Sequence, residues 1–143
     1  MKLAEEMKVL LADTFALYLK AHNFHWNVVG KDFHQYHAFF GEIYKQLHDA
    51  VDLVAEEIRQ LGVFVPGSLG RFQALTAIKD EVQVPECNDM VSKLYNDNQK
   101  VLATLEKVYK LAEDNQTYGL SNFIQDRMME HQRLAWQLSS SMK

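Results

Sequence analysis

The chain has 143 residues, of which 48% are hydrophobic and 24% charged, and its net charge is −4. This composition predicts one globular domain over residues 1–143, and the negative charge gives no reason to expect nucleic acid or an anionic membrane as a partner. No apolar run approaches the length of a bilayer span, and the acidic start is unlike a signal or transit peptide. The single cysteine, Cys87, excludes an intrachain disulfide and a cysteine-based zinc site, and it favours a reducing cytoplasm.

Apolar periodicity predicts two helices in the first part of the chain. Residues 3–29 read as one helix, with Gly30 as its C-terminal cap. Asp32 with Gln35 three residues later resembles a capping box, which starts a second helix that ends at Gly62. An unbroken apolar seam follows the second helix through Phe40, Tyr44, Leu47, Val51, Val54, Ile58 and Leu61.

The rest of the chain predicts one short and two long helices. Ser68 can cap a short helix that runs to about Leu75, and long helices are predicted over about 86–114 and 118–140. The connection over residues 63–86 is long enough to cross a bundle from end to end, and one such crossover is the ferritin-like arrangement. The predicted fold is therefore all-α, a ferritin-like four-helix bundle with a short helix in the long connection between helices two and three.

Two histidines and two carboxylates are the candidate metal ligands. His25 and His37 lie at equal distances from the predicted turn, so they can converge on facing helices. Asp52 and Glu56 are one turn apart on one face of the second helix. His37 and Asp52 are separated by about 22 Å along that helix, so no single ion can bridge them within a chain. Either the two pairs are unrelated, or they meet across a two-fold axis between subunits.

Each pair also has an ordinary interpretation. Either histidine can be a half-buried residue hydrogen-bonded to a neighbour. Asp52 and Glu56 can form a solvated acidic edge, with Arg59 as an ion-pair partner for Glu56. The usual intrachain di-iron centre of a helical bundle needs Glu-x-x-His on two helices. No glutamate here has a histidine three residues later, which excludes that centre and leaves the inter-subunit interpretation.

The same residues carry a resemblance to a known family. The stretch His25 to Gly30 (HWNVVG), followed by His37, Asp52 and Glu56, resembles the signature of the Dps proteins, or mini-ferritins. The segment from Asp126-Arg127 to Gln137-Leu138 is similar to the last helix of that family. The resemblance covers most of the chain and is weakest in the middle connection.

This resemblance implies a hollow homo-dodecamer with ferroxidase sites at its two-fold interfaces. His25 and His37 would come from one subunit, and Asp52 and Glu56 from its partner. Iron(II) would bind there, be oxidised by hydrogen peroxide or oxygen, and be stored inside the shell as ferric mineral, which protects against iron-driven oxidative damage. The alternatives are a ferritin-like shell whose impaired centre binds metal but oxidises iron weakly, and a structural helical bundle with ordinary histidines.

The chain departs from the family pattern in two respects. The family has a further aspartate four residues after the second histidine, where this chain has Gly41. Glu42 and His34 are the candidate substitutes for that ligand. The DNA-binding members of the family commonly carry a lysine-rich tail, which this chain lacks, so we expect no DNA condensation.

Overall fold

The computed structural model describes residues 1–143 and contains five helices and no strand. The helices are α1 (Lys2–Asn27), α2 (Phe33–Gln60), α3 (Leu69–Leu75), α4 (Cys87–Asp114) and α5 (Tyr118–Ser141). The four long helices form a bundle, and α3 lies in the connection between α2 and α4, so the predicted all-α fold is confirmed. None of the helices combines the length and the apolar character that crossing a bilayer requires.

Two predicted details at the turn between α1 and α2 are wrong. The first helix ends at Asn27 with Val28 as its C-cap, and Gly30 instead occupies the turn with φ of +122°, a conformation that favours glycine. Asp32 is the N-cap of α2, but its side chain makes no capping hydrogen bond, so the box with Gln35 does not form. Its backbone (φ −103°, ψ 23°) departs from the extended conformation that directs a capping side chain to the first turn.

The later helix boundaries agree with the prediction to within one residue. Ser68 has an extended backbone, and its hydroxyl oxygen accepts a hydrogen bond from the N–H of Arg71 at 3.3 Å, which caps α3 as predicted. Glu86 is the N-cap of α4, which ends at Asp114. The last helix ends at Ser141, one residue beyond the predicted end.

The apolar seam of α2 lies in the core. Its fully buried members are Phe40, Leu47, Val54 and Ile58, and its half-buried members are Tyr44, Val51 and Leu61. Buried apolar side chains from the four long helices and from Ile78 in the connection form one continuous cluster. Because the seam turns inward, the opposite edge of α2 is left to face outward.

A buried carboxylate attaches the long connection to α1 and α4. Asp13 is fully buried, and its Oδ1 accepts hydrogen bonds from the Thr76 hydroxyl (2.6 Å) and the Ala77 N–H (2.9 Å). Its Oδ2 accepts a hydrogen bond from the Thr104 hydroxyl at 3.0 Å. A buried charge without such partners would be strongly unfavourable, so these contacts place the connection against α1.

A buried ion pair fixes the register of α1 against α4. Lys20 lies 2.5 Å from Asp97 and also donates a hydrogen bond to the backbone carbonyl of Lys79 at 2.7 Å. Lys20 follows Asp13 by seven residues on α1. Their partners on α4 are in the reverse order, because Asp97 precedes Thr104 by seven residues. The two helices therefore run antiparallel, which requires the connection after α2 to cross from one end of the bundle to the other.

A second buried polar network joins α4 and α5 at His131, which is 2% exposed. Its Nδ1 donates a hydrogen bond to Asn98 Oδ1 (2.7 Å), and Asn98 Nδ2 donates one to the backbone carbonyl of His131 (2.8 Å). Arg127 donates a hydrogen bond to His131 Nε2 at 3.0 Å. The ring is therefore neutral, and burial together with the Arg127 charge lowers the pKa of His131 from 6.5 to about 3.

We expect the free energy of unfolding to decrease as the pH falls from about 6.5 towards 3. In that window the unfolded chain binds a proton at His131 that the folded chain does not, and one such group contributes a slope of up to about 1.4 kcal/mol per pH unit. The contribution of His131 to the free energy of unfolding is fully present above the pKa of the unfolded histidine, 6.5, and is lost as the pH falls towards 3. Urea denaturation at about pH 7 and about pH 5 should show a smaller pH dependence for His131→Gln than for the wild type. The exposed His34→Gln variant is the matched control, and an unchanged slope in His131→Gln would contradict this account.

Candidate metal centre

The end of the hairpin formed by α1 and α2 brings His25 and His37 together, as their spacing predicts. Their imidazole rings are stacked, with centroids 3.9 Å apart and planes inclined by 16°. Both side chains are half-buried, and the ring of Phe33 is also stacked on His37, with centroids 4.9 Å apart. The two rings therefore lie side by side at one level of the bundle, with limited room to move.

Reciprocal hydrogen bonds determine which nitrogen of each ring carries the proton. Nδ1 of His25 donates to the backbone carbonyl of His37, and Nδ1 of His37 donates to the backbone carbonyl of His25, both at 2.7 Å. A carbonyl oxygen can only accept a hydrogen bond, so both Nδ1 atoms are protonated and both Nε2 atoms keep a lone pair. A hydrogen bond of this kind on the second ring nitrogen is the usual support of a metal-ligating histidine.

Asp52 and Glu56 lie on the outward edge of α2, and both are exposed. Val54 lies between the two carboxylates in the chain, and Ile58 follows two residues after Glu56. Both apolar side chains are fully buried, which directs the carboxylates away from the core. Arg59 does not pair with Glu56. It donates a hydrogen bond to the backbone carbonyl of Val63 at 2.9 Å instead.

The histidine pair and the carboxylate pair do not meet within one chain. No three histidine, cysteine, aspartate or glutamate side chains of the single chain are grouped as a metal site. His37 and Asp52 belong to the same straight element, α2, about 22 Å apart along its axis. An ion that uses all four side chains therefore requires two chains.

Gly41 lies directly beneath the ring of His25. A Cβ atom at this position would lie 3.1 Å from both Cε1 and Nδ1 of that ring, closer than ordinary van der Waals contact. The missing side chain thus allows the imidazole to rest against the backbone of α2. The two candidate substitutes for a ligand at this position, His34 and Glu42, are both exposed.

Sequence reasoning missed an aromatic group next to the histidine pair. The ring of His22 is stacked on Tyr44 (3.8 Å, 6°) and lies 3.9 Å from the ring of Trp26, tilted by 34°, and its Nδ1 lies 3.1 Å from the hydroxyl oxygen of Tyr18. Burial lowers the pKa of His22, so the ring is neutral near neutral pH. The spacing of residues 18, 22 and 26 on one face of α1 was the signal that could have found this group.

Comparison with known proteins identifies the family. A family model for the ferritin-like domain matches residues 4–143. The DNA protection during starvation protein of Helicobacter pylori is 31% identical over 141 residues, 98% of each chain. The crystal structure of the Dps protein from Vibrio cholerae superposes with a TM-score of 0.96 at 28% identity, covering 99% of this chain and 89% of that one. The chain is a mini-ferritin of the Dps family.

A further solved relative shows that the agreement extends over the whole length. Helicobacter cinaedi CAIP is 30% identical, with a TM-score of 0.93 over 99% of both chains. The Vibrio cholerae protein belongs to a superfamily of ferritin-like diiron-carboxylate proteins.

The candidate ligands of this Dps protein have the donor chemistry that iron requires. His25 and His37 offer two neutral nitrogen donors whose tautomers are fixed. Asp52 and Glu56 offer carboxylate oxygens, and no intrachain salt bridge involves either side chain. Imidazole nitrogen and carboxylate oxygen are the ligand types that iron(II) takes in proteins, so the residues present fit this metal.

Proposed function

We propose that this Dps protein is a ferroxidase that oxidises iron(II) at sites shared between two subunits and stores the ferric product inside a shell. The observation that carries the proposal is the pair of reciprocal hydrogen bonds between His25 and His37, which leaves the Nε2 lone pair free on both of two stacked rings. Because these hydrogen bonds occupy both Nδ1 atoms, both Nε2 atoms remain available to a metal ion. Membership of the ferritin-like family supports iron storage and protection from oxidative damage as the general function.

The four ligands have different tasks in this reaction. Nε2 of His25 and Nε2 of His37 bind and orient the incoming iron(II). Asp52 and Glu56 of the partner subunit supply negative charge, which stabilises the ion more strongly as its charge rises from +2 to +3. Hydrogen peroxide or oxygen accepts the electron. Iron is the substrate of this protein, and the oxidised ion leaves for the mineral.

The shared site defines how two chains associate. Residue 37 of one α2 must lie opposite residues 52–56 of the other, so the two α2 helices pair antiparallel around a two-fold axis near residue 45. Large apolar side chains lie exposed beside both halves of the site. Trp26 is 59% exposed near the histidines, and Leu53 is 50% exposed between the carboxylates. A partner subunit would cover both side chains, and twelve subunits in the cytoplasm form the proposed shell.

Iron(II) oxidation kinetics test the proposed function. We expect His37→Ala to lose the rapid, peroxide-dependent oxidation of iron(II) while sedimenting as the same twelve-subunit shell as the wild type. His34→Ala, an exposed histidine one turn earlier on the same helix, is the matched control and should oxidise iron normally. Equal rates in His37→Ala and the wild type would contradict the site, and a monomer or isolated dimer in sedimentation would contradict the shell.

We also expect the intact shell not to bind DNA at ordinary salt. The lysines near the start of the chain are partly neutralised, because Lys8 pairs with Glu5 at 3.0 Å and Lys20 is buried against Asp97 at 2.5 Å. Binding to phosphates needs clustered free cations. A gel-shift assay at about 0.15 M salt checks this, and tight retention of duplex DNA by the intact shell would refute it.

A further inference from the structure

We propose that the hydrogen-bonded pair of Tyr18 and His22 donates an electron and a proton to the iron site, so that a site holding one iron can still reduce hydrogen peroxide completely. This inference rests on the proposed ferroxidase function. It assigns a redox task to two residues that are not among the four proposed ligands. The supporting observations are the position of the pair, the stacking of the His22 ring on Tyr44 and the missing side chain at Gly41.

The pair lies next to the histidine ligands. The ring of Tyr44 is 5.1 Å from the ring of His25, and the ring of His22 is stacked on Tyr44 at 3.8 Å and nearly parallel to it. The hydroxyl of Tyr18 lies 3.1 Å from Nδ1 of His22. Contact between successive rings therefore connects the phenol of Tyr18 to the ring of His25 within one face of the hairpin.

Among the tyrosines of the chain, Tyr18 alone has its hydroxyl hydrogen-bonded to a histidine. Oxidation of a phenol makes its proton strongly acidic, so the reaction needs a base within hydrogen-bond distance. No hydrogen bond is made by the hydroxyl of Tyr44, and Tyr109 donates to Glu113 on α4, away from the hairpin. The neutral ring of His22 supplies that base to Tyr18, and its stacking on Tyr44 connects the pair to the site.

The electron count shows why such a donor is needed. Reduction of hydrogen peroxide to two hydroxide ions takes two electrons, and a single iron(II) supplies one of them as it becomes iron(III). Without a second electron, cleavage of the O–O bond releases a hydroxyl radical. The resemblance to the Dps family implies an aspartate at position 41, where this chain has Gly41, so under the proposal the site holds a second iron weakly.

Tyr18 supplies the second electron in the following step. Its phenolic O–H bond breaks, the proton moves to Nδ1 of His22, and the electron goes to the peroxide as the O–O bond breaks. The products are iron(III), two hydroxide ions, a neutral tyrosyl radical and an imidazolium. A second iron(II) that arrives later reduces the radical, and the proton returns from His22, which restores the pair and leaves another iron(III).

Rapid mixing followed by electron paramagnetic resonance tests the proposal. Anaerobic shells with one iron(II) per site are mixed with hydrogen peroxide, and tyrosyl radical and released hydroxyl radical are measured, the latter with a spin trap. The wild type should give a tyrosyl signal that changes when its tyrosines are ring-deuterated. Tyr18→Phe should lose most of this signal and release several-fold more hydroxyl radical. Tyr95→Phe, a half-buried tyrosine on α4, should behave as the wild type does.

A second variant distinguishes the loss of the proton acceptor at His22 from the loss of its stacked ring. His22→Phe retains an aromatic ring between Tyr44 and Trp26 but cannot accept a proton, so it should also lose the tyrosyl signal although Tyr18 is present. A full tyrosyl signal in Tyr18→Phe, or none in a wild type that does consume iron(II) and peroxide, would overturn the inference. A wild type that fails to oxidise iron(II) at all would instead overturn the proposed function.

Discussion

Mixed interfaces between His37→Ala chains and Asp52→Ala chains should recover iron(II) oxidation that neither variant has alone. Each two-fold interface holds two sites. In a mixed pair, the Asp52→Ala chain supplies intact histidines and the His37→Ala chain supplies intact carboxylates, so one of the two sites is complete. Random pairing of equal amounts gives mixed interfaces half of the time, so recovery should approach about a quarter of the wild-type activity.

A second mixture provides the control for this experiment. His25→Ala chains combined with His37→Ala chains should recover nothing, because each chain lacks one member of the nitrogen pair and no combination rebuilds it. The shells are dissociated, mixed and reassembled, and mass spectrometry of differently tagged chains verifies that the interfaces are mixed. Activity in the histidine–histidine mixture, or its absence in verified His37–Asp52 mixtures, would mean that the four ligands are not divided between chains.

The second large effect is expected at Gly41. In Gly41→Ala the new methyl group lies 3.1 Å from the ring of His25, so the ring must give by a few tenths of an ångström, which weakens its hydrogen bond with the backbone of His37. Complete loss of that hydrogen bond, about 1 kcal/mol, corresponds to roughly a fivefold change, so binding of iron(II) should weaken by up to this factor. Alanine gains about 1 kcal/mol of helix propensity over glycine, against an overpacking cost of roughly 1–3 kcal/mol, so the thermal midpoint should fall slightly.

Gly41→Asp adds the same steric contact together with the carboxylate that the family has at this position. Comparison with Gly41→Ala therefore isolates the effect of the added carboxylate on iron binding and oxidation. We expect the aspartate variant to bind a second iron per site and to oxidise iron(II) faster than the alanine variant. Calorimetric titration of iron(II) under anaerobic conditions gives the stoichiometry. An assembled Gly41→Asp shell that binds no more tightly and reacts no faster than Gly41→Ala would mean that position 41 is not the missing ligand.

The sequence predicted the helices well because apolar periodicity encodes them directly. The seam from Phe40 to Leu61 fixes the inward face of α2, and equal spacing from the turn predicted the meeting of His25 and His37. The capping box at Asp32 failed because residue spacing does not determine the backbone angles of the capping residue. The start of α2 was nevertheless correct, whereas α1 ends at Asn27, two residues before its predicted end.

Contacts between distant parts of the chain could not be predicted from the sequence. The buried carboxylate of Asp13 depends on partners more than sixty residues away, and no local sequence pattern predicts these contacts. The close approach of His25 to Gly41 depends on how two helices pack and on one ring orientation. The spacing of Tyr18 and His22 was visible, but only the position of Tyr44 on the facing helix shows that the three rings form one group.

The crossed hydrogen bonds between His25 and His37 also bear on the order of events after synthesis. Both residues belong to one hairpin and lie only twelve positions apart, so the nitrogen half of the site is completed by local contacts, which form early in folding. Under the shared-site proposal, the carboxylate ligands Asp52 and Glu56 are supplied only when a second subunit docks. A newly made chain then has two neutral nitrogens and no carboxylate to hold iron(II), so it is a poor place for peroxide to react. Under the same proposal, association of two subunits completes the ligand set, so iron oxidation can begin only after a chain has joined its partner.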